Sequence, residues 1–149
     1  MQYAYAVLLQ RDGDIVQYDV DAQSVLEQLR YTIPLDDYYV ALFHRNHLPL
    51  MTATAIPLSN VQSTVDFTSA AQAVYGSNAR KDLGGGVCGH FAGDATGDNS
   101  INAADRSATW NGRNQSGYKL EDVTLNGSVD AADRSKTWNN RNKAGTVNR

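Results

Sequence analysis

The sequence predicts an antiparallel β-sandwich followed by a small all-α pair of loop–helix repeats, and three observations predict it. Residues 1–67 hold five or six short segments rich in β-branched and aromatic residues, with turn signals at their ends. Residues 101–114 return as residues 129–142, 28 positions later. Before each copy lies a run of oxygen-bearing side chains at alternate positions. Such self-similarity marks a duplicated supersecondary unit. The chain therefore divides into a β-sandwich module over 1–67, a linker docked on the modules over 68–93, and a duplicated domain over 94–149.

In the first part, Tyr3 to Leu9 is rich in strand formers, Arg11-Asp12-Gly13-Asp14 has the composition of a hairpin turn, and Ile15 to Val20 is its return strand. Val25, Leu26 and Leu29 fit helical spacing as well as a strand. Asp36-Asp37 leads into Tyr38 to Phe43, a dense strand signal, and Met51 to Leu58 and Thr64 to Phe67 read as two more. Residues 68–93 are rich in Ala, Gly and Ser. Tyr75, Leu83, Val87 and Phe91 are apolar enough to dock that linker. Gly84-Gly85-Gly86 lacks the Gly-Lys-Ser/Thr of a phosphate loop and reads as a flexible joint.

The repeats carry the chemistry. A twelve-position calcium loop places its ligands at positions 1, 3, 5, 7, 9 and 12. The first copy offers Asp94, Thr96, Asp98, the carbonyl of Ser100, Asn102 and Asp105; the second offers Asp122, Thr124, Asn126, the carbonyl of Ser128, Asp130 and Asp133. Ca2+ takes about six to eight oxygens, so alternate side chains must point inward from a curved backbone. Position 6 turns that backbone at positive φ, which Gly127 adopts freely and which Asn99, among non-glycine residues, tolerates best. Each loop holds three carboxylates, a charge suited to one divalent ion, so two ions are expected. Asn102 and Asp130 also suit helix N-caps, with helices over about 103–111 and 131–140 ending at left-handed caps near Asn111-Gly112 and Asn139-Asn140. Apolar Ile101 and Val129 at position 8 suit two loops pairing back to back.

On these residues the stretch 93–144 resembles a dockerin domain, two calcium loop–helix repeats with Asp at position 12. Thr96 and Thr124 stand where dockerins carry Asn, and Trp110 and Trp138 depart from the usual helices. The region before it resembles the β-sandwich that precedes such repeats at the C-terminal ends of large secreted bacterial surface proteins. The resembling residues are 8–14, the Asp37 to Ala41 strand, His44-Arg45-Asn46-His47-Leu48 and Met51-Thr52-Ala53. The resemblance implies an extracellular or cell-surface setting and association rather than catalysis. In such modules a further strand precedes the one that opens here, which implies a sandwich left incomplete at one edge. An open edge is a template for a neighbouring chain. A neighbour that completes the sandwich head to tail makes a homo-oligomer or filament, sheath or matrix; otherwise the chain's own remaining strands close the fold. The alternative function is that of a dockerin-type adaptor, docking a cohesin-like receptor through its duplicated helix face.

Composition narrows the classes. At 42% hydrophobic and 19% charged the chain has the composition of a globular protein. No apolar run approaches the roughly 20 residues of a membrane helix. The formal charge of −3 becomes +1 with two calcium ions, and no basic stripe points to nucleic acid. Met1 to Leu9 lacks the basic start and long apolar centre of a signal peptide, so the chain reads as a mature or partial product. His44 and His47 could ligate zinc, but no third ligand is evident; the alternative is that both imidazoles and Asn46 hydrogen-bond the turn between two strands. No nucleophile motif supports acyl transfer, so no enzyme is expected. Cys88 has no internal disulfide partner and is either bonded between chains or a buried inert thiol. Trp110 and Trp138 either pack the helices or anchor a partner, and Arg106, Arg134, Arg113 and Arg141 recur with them as solvated or salt-bridged cations.

Overall fold

The structure is a computed structural model that describes residues 4–10, 15–16, 35–58 and 64–147. The expected turn at 11–14, the segment around Val25 to Leu29 and Asn60 lie outside those residues. The elements are β1 (Ala4–Gln10), β2 (Ile15–Val16), β3 (Asp37–His44), β4 (His47–Met51), β5 (Ile56–Pro57), β6 (Lys81–Gly84), β7 (Val87–Gly89), β8 (Ser100–Ile101), α1 (Ala103–Asn111), α2 (Ala131–Asn139) and β9 (Lys143–Ala144).

One antiparallel sheet runs in the order β2-β1-β3-β4, with β5 also on β3. β1 pairs with β3 along its whole length, from Ala4 opposite His44 to Gln10 opposite Tyr38. On the other side of β3, β5 takes its first residues and β4 its last. Between them Thr52 donates its N–H to the Val40 carbonyl at 3.0 Å and accepts the Val40 N–H on Oγ1 at 3.2 Å, so the edge stays hydrogen-bonded where the strand is interrupted.

The predicted fold class needs correction on both halves. A sandwich requires two sheets packed face to face, whereas the described residues form one five-stranded sheet and two separate two-stranded sheets, β6-β7 and β8-β9. Nor is the C-terminal half an all-α pair of repeats like a dockerin, because it has two nine-residue helices combined with strand pairing. Thr64 to Phe67 is not a strand. Arg80 Nη1 donates to the carbonyls of Phe67 (3.4 Å) and Ser69 (2.7 Å) and Nη2 to that of Ala70 (2.9 Å), so this segment is held by a guanidinium that satisfies several carbonyls at once. The glycine run is a hairpin turn rather than a loose joint. Gly84, Gly85 and Gly86 all have positive φ, and Gly84 lies opposite Val87 in the β6-β7 ladder. Of the apolar residues expected to dock this stretch, only Phe91 is buried; Tyr75, Leu83 and Val87 are exposed.

The core is shared between early and late parts of the chain. Ala41 and Phe43 of β3 pack with Val147, and Leu48 of β4 packs with Phe91 and Ile101. Cys88 is a buried free thiol whose N–H donates to the Thr68 carbonyl at 2.7 Å. No helix among the described residues is long and apolar enough to cross a membrane.

Candidate metal centre

Each helix is launched by its own loop. Asn102 Oδ1 accepts the Ala104 N–H at 2.7 Å, and Asp130 Oδ1 accepts that of Ala132 at 2.6 Å. The position-12 carboxylates complete both capping boxes, Asp105 Oδ2 accepting from Asn102 N and Asp133 Oδ2 from Asp130 N, each at 2.8 Å. Their other oxygens reach back to position 3: Asp105 Oδ1 accepts from Thr96 N (2.9 Å) and Oγ1 (2.8 Å), and Asp133 Oδ1 from Thr124 N and Oγ1 (both 2.9 Å). Thr96 and Thr124 thus spend their hydroxyl protons on the position-12 aspartates, a donation that Asn can make only through its amide nitrogen.

The position-1 carboxylates hold the bend. Asp94 Oδ2 accepts the Asn99 N–H at 3.2 Å, while Asp122 accepts those of Asn126 (3.1 Å) and Gly127 (2.9 Å). Asn99 and Gly127 take φ of 69° and 87° at that bend. At position 5, Asp98 Oδ1 and Asn126 Oδ1 accept the N–H groups of Ser100 (3.0 Å) and Ser128 (2.9 Å), which lie at position 7. Asp94, Asp105, Asp122 and Asp133 are all buried.

In loop 1 the carboxylates of Asp94, Asp98 and Asp105 each bring one oxygen within 4.8 Å of the others. Among the described residues this is the one trio of His, Cys, Asp or Glu side chains so arranged. Loop 2 has an amide, Asn126, at position 5, and its third carboxylate, Asp130, sits at position 9 as the N-cap. Hard, anionic oxygens are the ligand type that Ca2+ takes, so these three carboxylates could supply part of the roughly six to eight oxygens such an ion needs.

The position-8 residues do not pair with each other as expected. Ile101 accepts the Asn142 N–H at 2.8 Å, and Val129 accepts that of Asn114 at 2.9 Å. Gly145 N donates to Asn99 O at 2.9 Å, and Gly117 N to Gly127 O at 3.0 Å. Each loop therefore pairs with the segment that follows the other repeat's helix. The turn that makes this possible comes after the helix end: Gly112 and Asn140 have negative φ at the caps, while Asn114 and Asn142 have φ of 67° and 64°. The left-handed residue is thus two positions later than sequence reasoning placed it.

The β3–β4 turn joins both loops. Asn46 O accepts the N–H groups of Gly93 and Asp94, each at 3.1 Å. Its buried side chain donates through Nδ2 to the carbonyls of Leu120 (2.9 Å) and Asp122 (2.7 Å). Arg45 Nη2 lies 4.0 Å from Asp122 Oδ2, and its guanidinium stacks on Tyr118 at 3.9 Å. Sequence reasoning placed Asn46 in its own turn and gave Arg45 no role.

The same turn brings the three histidines together. His44 and His47 meet edge to face at 4.2 Å between ring centroids, and His47 and His90 lie 6.2 Å apart. His47 Nδ1 is 2.8 Å from Asn46 Oδ1, and His90 Nδ1 is 2.6 Å from the Leu48 carbonyl. Burial, followed by His44, His90 and Arg45 nearby, pushes the His47 pKa down to about 3. Burial also lowers that of His90.

On the helices, neither tryptophan belongs to the core. Trp110 and Trp138 are 49% and 41% exposed, and each is stacked by two arginines. Arg134 and Arg113 lie 4.7 and 4.4 Å from the Trp110 ring, and Arg106 and Arg141 lie 4.5 and 4.3 Å from the Trp138 ring. Arg106 and Arg134 each cross to the other helix, so α1 and α2 are stitched together by cation–π contacts.

Compared with known proteins, the chain matches no protein-family model, no curated protein and no solved structure.

Proposed function

We propose that this chain is a non-enzymatic, extracellular calcium-binding structural module that two ions brace and that assembles with copies of itself. One observation carries the calcium reading. The hydrogen bonds that shape loop 1 recur in loop 2 at the same offsets, around buried aspartates at positions 1 and 12. Turn composition alone does not require buried carboxylates, whose burial is costly without compensation. Asp94, Asp98 and Asp105 would hold the first ion, with Asp122, Asn126 and Asp133 in the corresponding places of loop 2. Bound calcium would neutralise those charges and tie each loop to the start of its helix. Millimolar extracellular calcium fills even weak sites of this kind.

A specific observation favours a second reading. The half-exposed tryptophans on the duplicated helix face suit an adaptor that docks a cohesin-like receptor.

Calcium removal tests the first reading. An ion that binds only the folded state adds about 2.7 kcal/mol per site at a hundredfold excess over Kd. For a chain of this size, chelation of two such sites lowers the melting temperature by on the order of 10 °C or more. A melting temperature unchanged by EDTA, with no heat of calcium binding in calorimetry, refutes it.

A further inference from the structure

The helix face presents an open cleft of about 400 Å³ lined by Arg106, Ser107, Trp110, Asn111 and Arg134. No carboxylate lines it, and among the described residues neither Arg106 nor Arg134 has an ion-pair partner. Stacking on the two tryptophans fixes both guanidiniums before any partner arrives, which reduces the ordering cost of binding.

A complementary surface exists elsewhere on the same chain. Asp36 and Asp37 are exposed at the start of β3, beside Leu35 at 62% exposure. Asp36 Oδ1 accepts the Asp37 N–H at 2.8 Å, and neither carboxylate has an ion-pair partner among the described residues. Charge is segregated along the sequence in the same sense. Residues 1–37 hold seven acidic and two basic residues, a net of −5, whereas residues 94–149 hold seven acidic and eight basic, a net of +1. Two calcium ions would raise the latter to +5.

We infer that the arginine cleft between the helices receives the acidic Leu35-Asp36-Asp37 corner of a second copy of this chain. The contact is heterologous, an acidic corner on one copy meeting a basic cleft on the next, so repetition gives an open chain of subunits unless the rotation closes a ring. The inference rests on the self-assembly in the proposed function and names the surfaces that carry it. Bound calcium would strengthen the contact by adding positive charge to the part of the chain that holds the cleft, and salt weakens it by screening.

The test is charge exchange, read by sedimentation velocity and light scattering of the full chain in millimolar calcium at low and high ionic strength. Wild type associates at low salt and less so at high salt. Arg106→Glu with Arg134→Glu, and separately Asp36→Lys with Asp37→Lys, each weaken association by about tenfold or more, because like charges then face one another. Mixing the two variants restores it. Since the arginine variant also removes the cross-helix stacking, the aspartate variant carries the test if the first fails to fold. Wild-type association that the aspartate pair leaves unaltered, or a mixture of the two variants, both folded by circular dichroism, that stays apart, overturns the inference while leaving self-assembly standing. A wild type that is monomeric throughout overturns both, and so assigns the cleft elsewhere if heparin binds that monomer. Calcium calorimetry on the same samples judges the metal reading separately.

Discussion

Asn46→Ala isolates the joint between the sheet and the two loops. The substitution strands the carbonyls of Leu120 and Asp122, which the Asn46 amide reaches at 2.9 and 2.7 Å, and removes the partner of His47 Nδ1 at 2.8 Å. Each hydrogen bond contributes about 1 kcal/mol net, and a buried group left unsatisfied costs about 1–3 kcal/mol. Asn46 is fully buried and its bond to the Asp122 carbonyl is buried, so little solvent compensates that group, whereas Leu120 is 46% exposed and water replaces part of what its carbonyl loses. The expected loss is about 2–4 kcal/mol, most of it from the buried Asp122 carbonyl and the ordered turn. The main-chain carbonyl of residue 46 still holds Gly93 and Asp94, so the damage falls on loop 2 more than on loop 1. Urea unfolding should show the drop in midpoint, and calcium calorimetry should show the proposed site of loop 2 weakened by about tenfold or more and that of loop 1 much less, since about 1.4 kcal/mol is a factor of ten. A loss under about 1 kcal/mol, set against that expected from buried hydrogen bonds, would show that the turn does not tie the sheet to the loops.

Two further outcomes follow from the geometry. The folded state holds His47 neutral down to about pH 3, whereas an unfolded histidine titrates at 6.5. Between those values the unfolded chain binds the extra proton, so stability rises with pH and is lost as pH falls below about 6.5, by about 2 kcal/mol at pH 5. His90 acts in the same direction. Urea midpoints at pH 7.5 and pH 5 measure the loss, His47→Gln should reduce it, and a flat profile speaks against the buried neutral ring. Leu125 holds φ of 62° at loop position 4, where the other loop has Gly97 at 73°. Leu125→Gly relieves a left-handed conformation that costs about 1–2 kcal/mol in L-residues, against the greater freedom glycine gains on unfolding and some lost side-chain contact. A net gain of about 0.5 kcal/mol in urea unfolding is expected, and a net loss would show that the contacts of the exposed leucine side chain outweigh its backbone.

Local signals were legible and distant ones were not. The helices begin where Asn102 and Asp130 mark them, because a cap and the aspartate three residues later act within one turn. Positive φ at Asn99 and Gly127 follows from residue type at a bend whose place the spacing defines. The number of sheet layers is a different matter: alternating apolar residues specify a half-buried strand but not what covers it. Thr64 to Phe67 has strand composition, yet Arg80, 13 residues beyond Phe67, takes its carbonyl. Asn46 meets Leu120 and Asp122 across 74 and 76 residues, and nothing near it in sequence marks that. One missed feature did leave a trace. Arg113-Asn114 and Arg141-Asn142 recur with the repeat, and an asparagine after a helix end is a common left-handed turn. Those asparagines turn each repeat's tail onto the other repeat's loop.

That exchange bears on how the two loops cooperate. Because loop 1 is paired with residues after α2, and loop 2 with residues after α1, neither half can be ordered fully without the other. The β3–β4 turn adds a third tie, its carbonyl on the entrance of loop 1 and its amide on that of loop 2. Two nine-residue helices with exposed tryptophans bury too little apolar surface to fold alone. Their order is therefore supplied by these exchanged backbone hydrogen bonds and by the sheet. Free energy delivered at one loop, by a proposed ion or by any ligand confined to the folded state, is consequently felt at the other loop and at β3 and β4, since the same hydrogen bonds define all three.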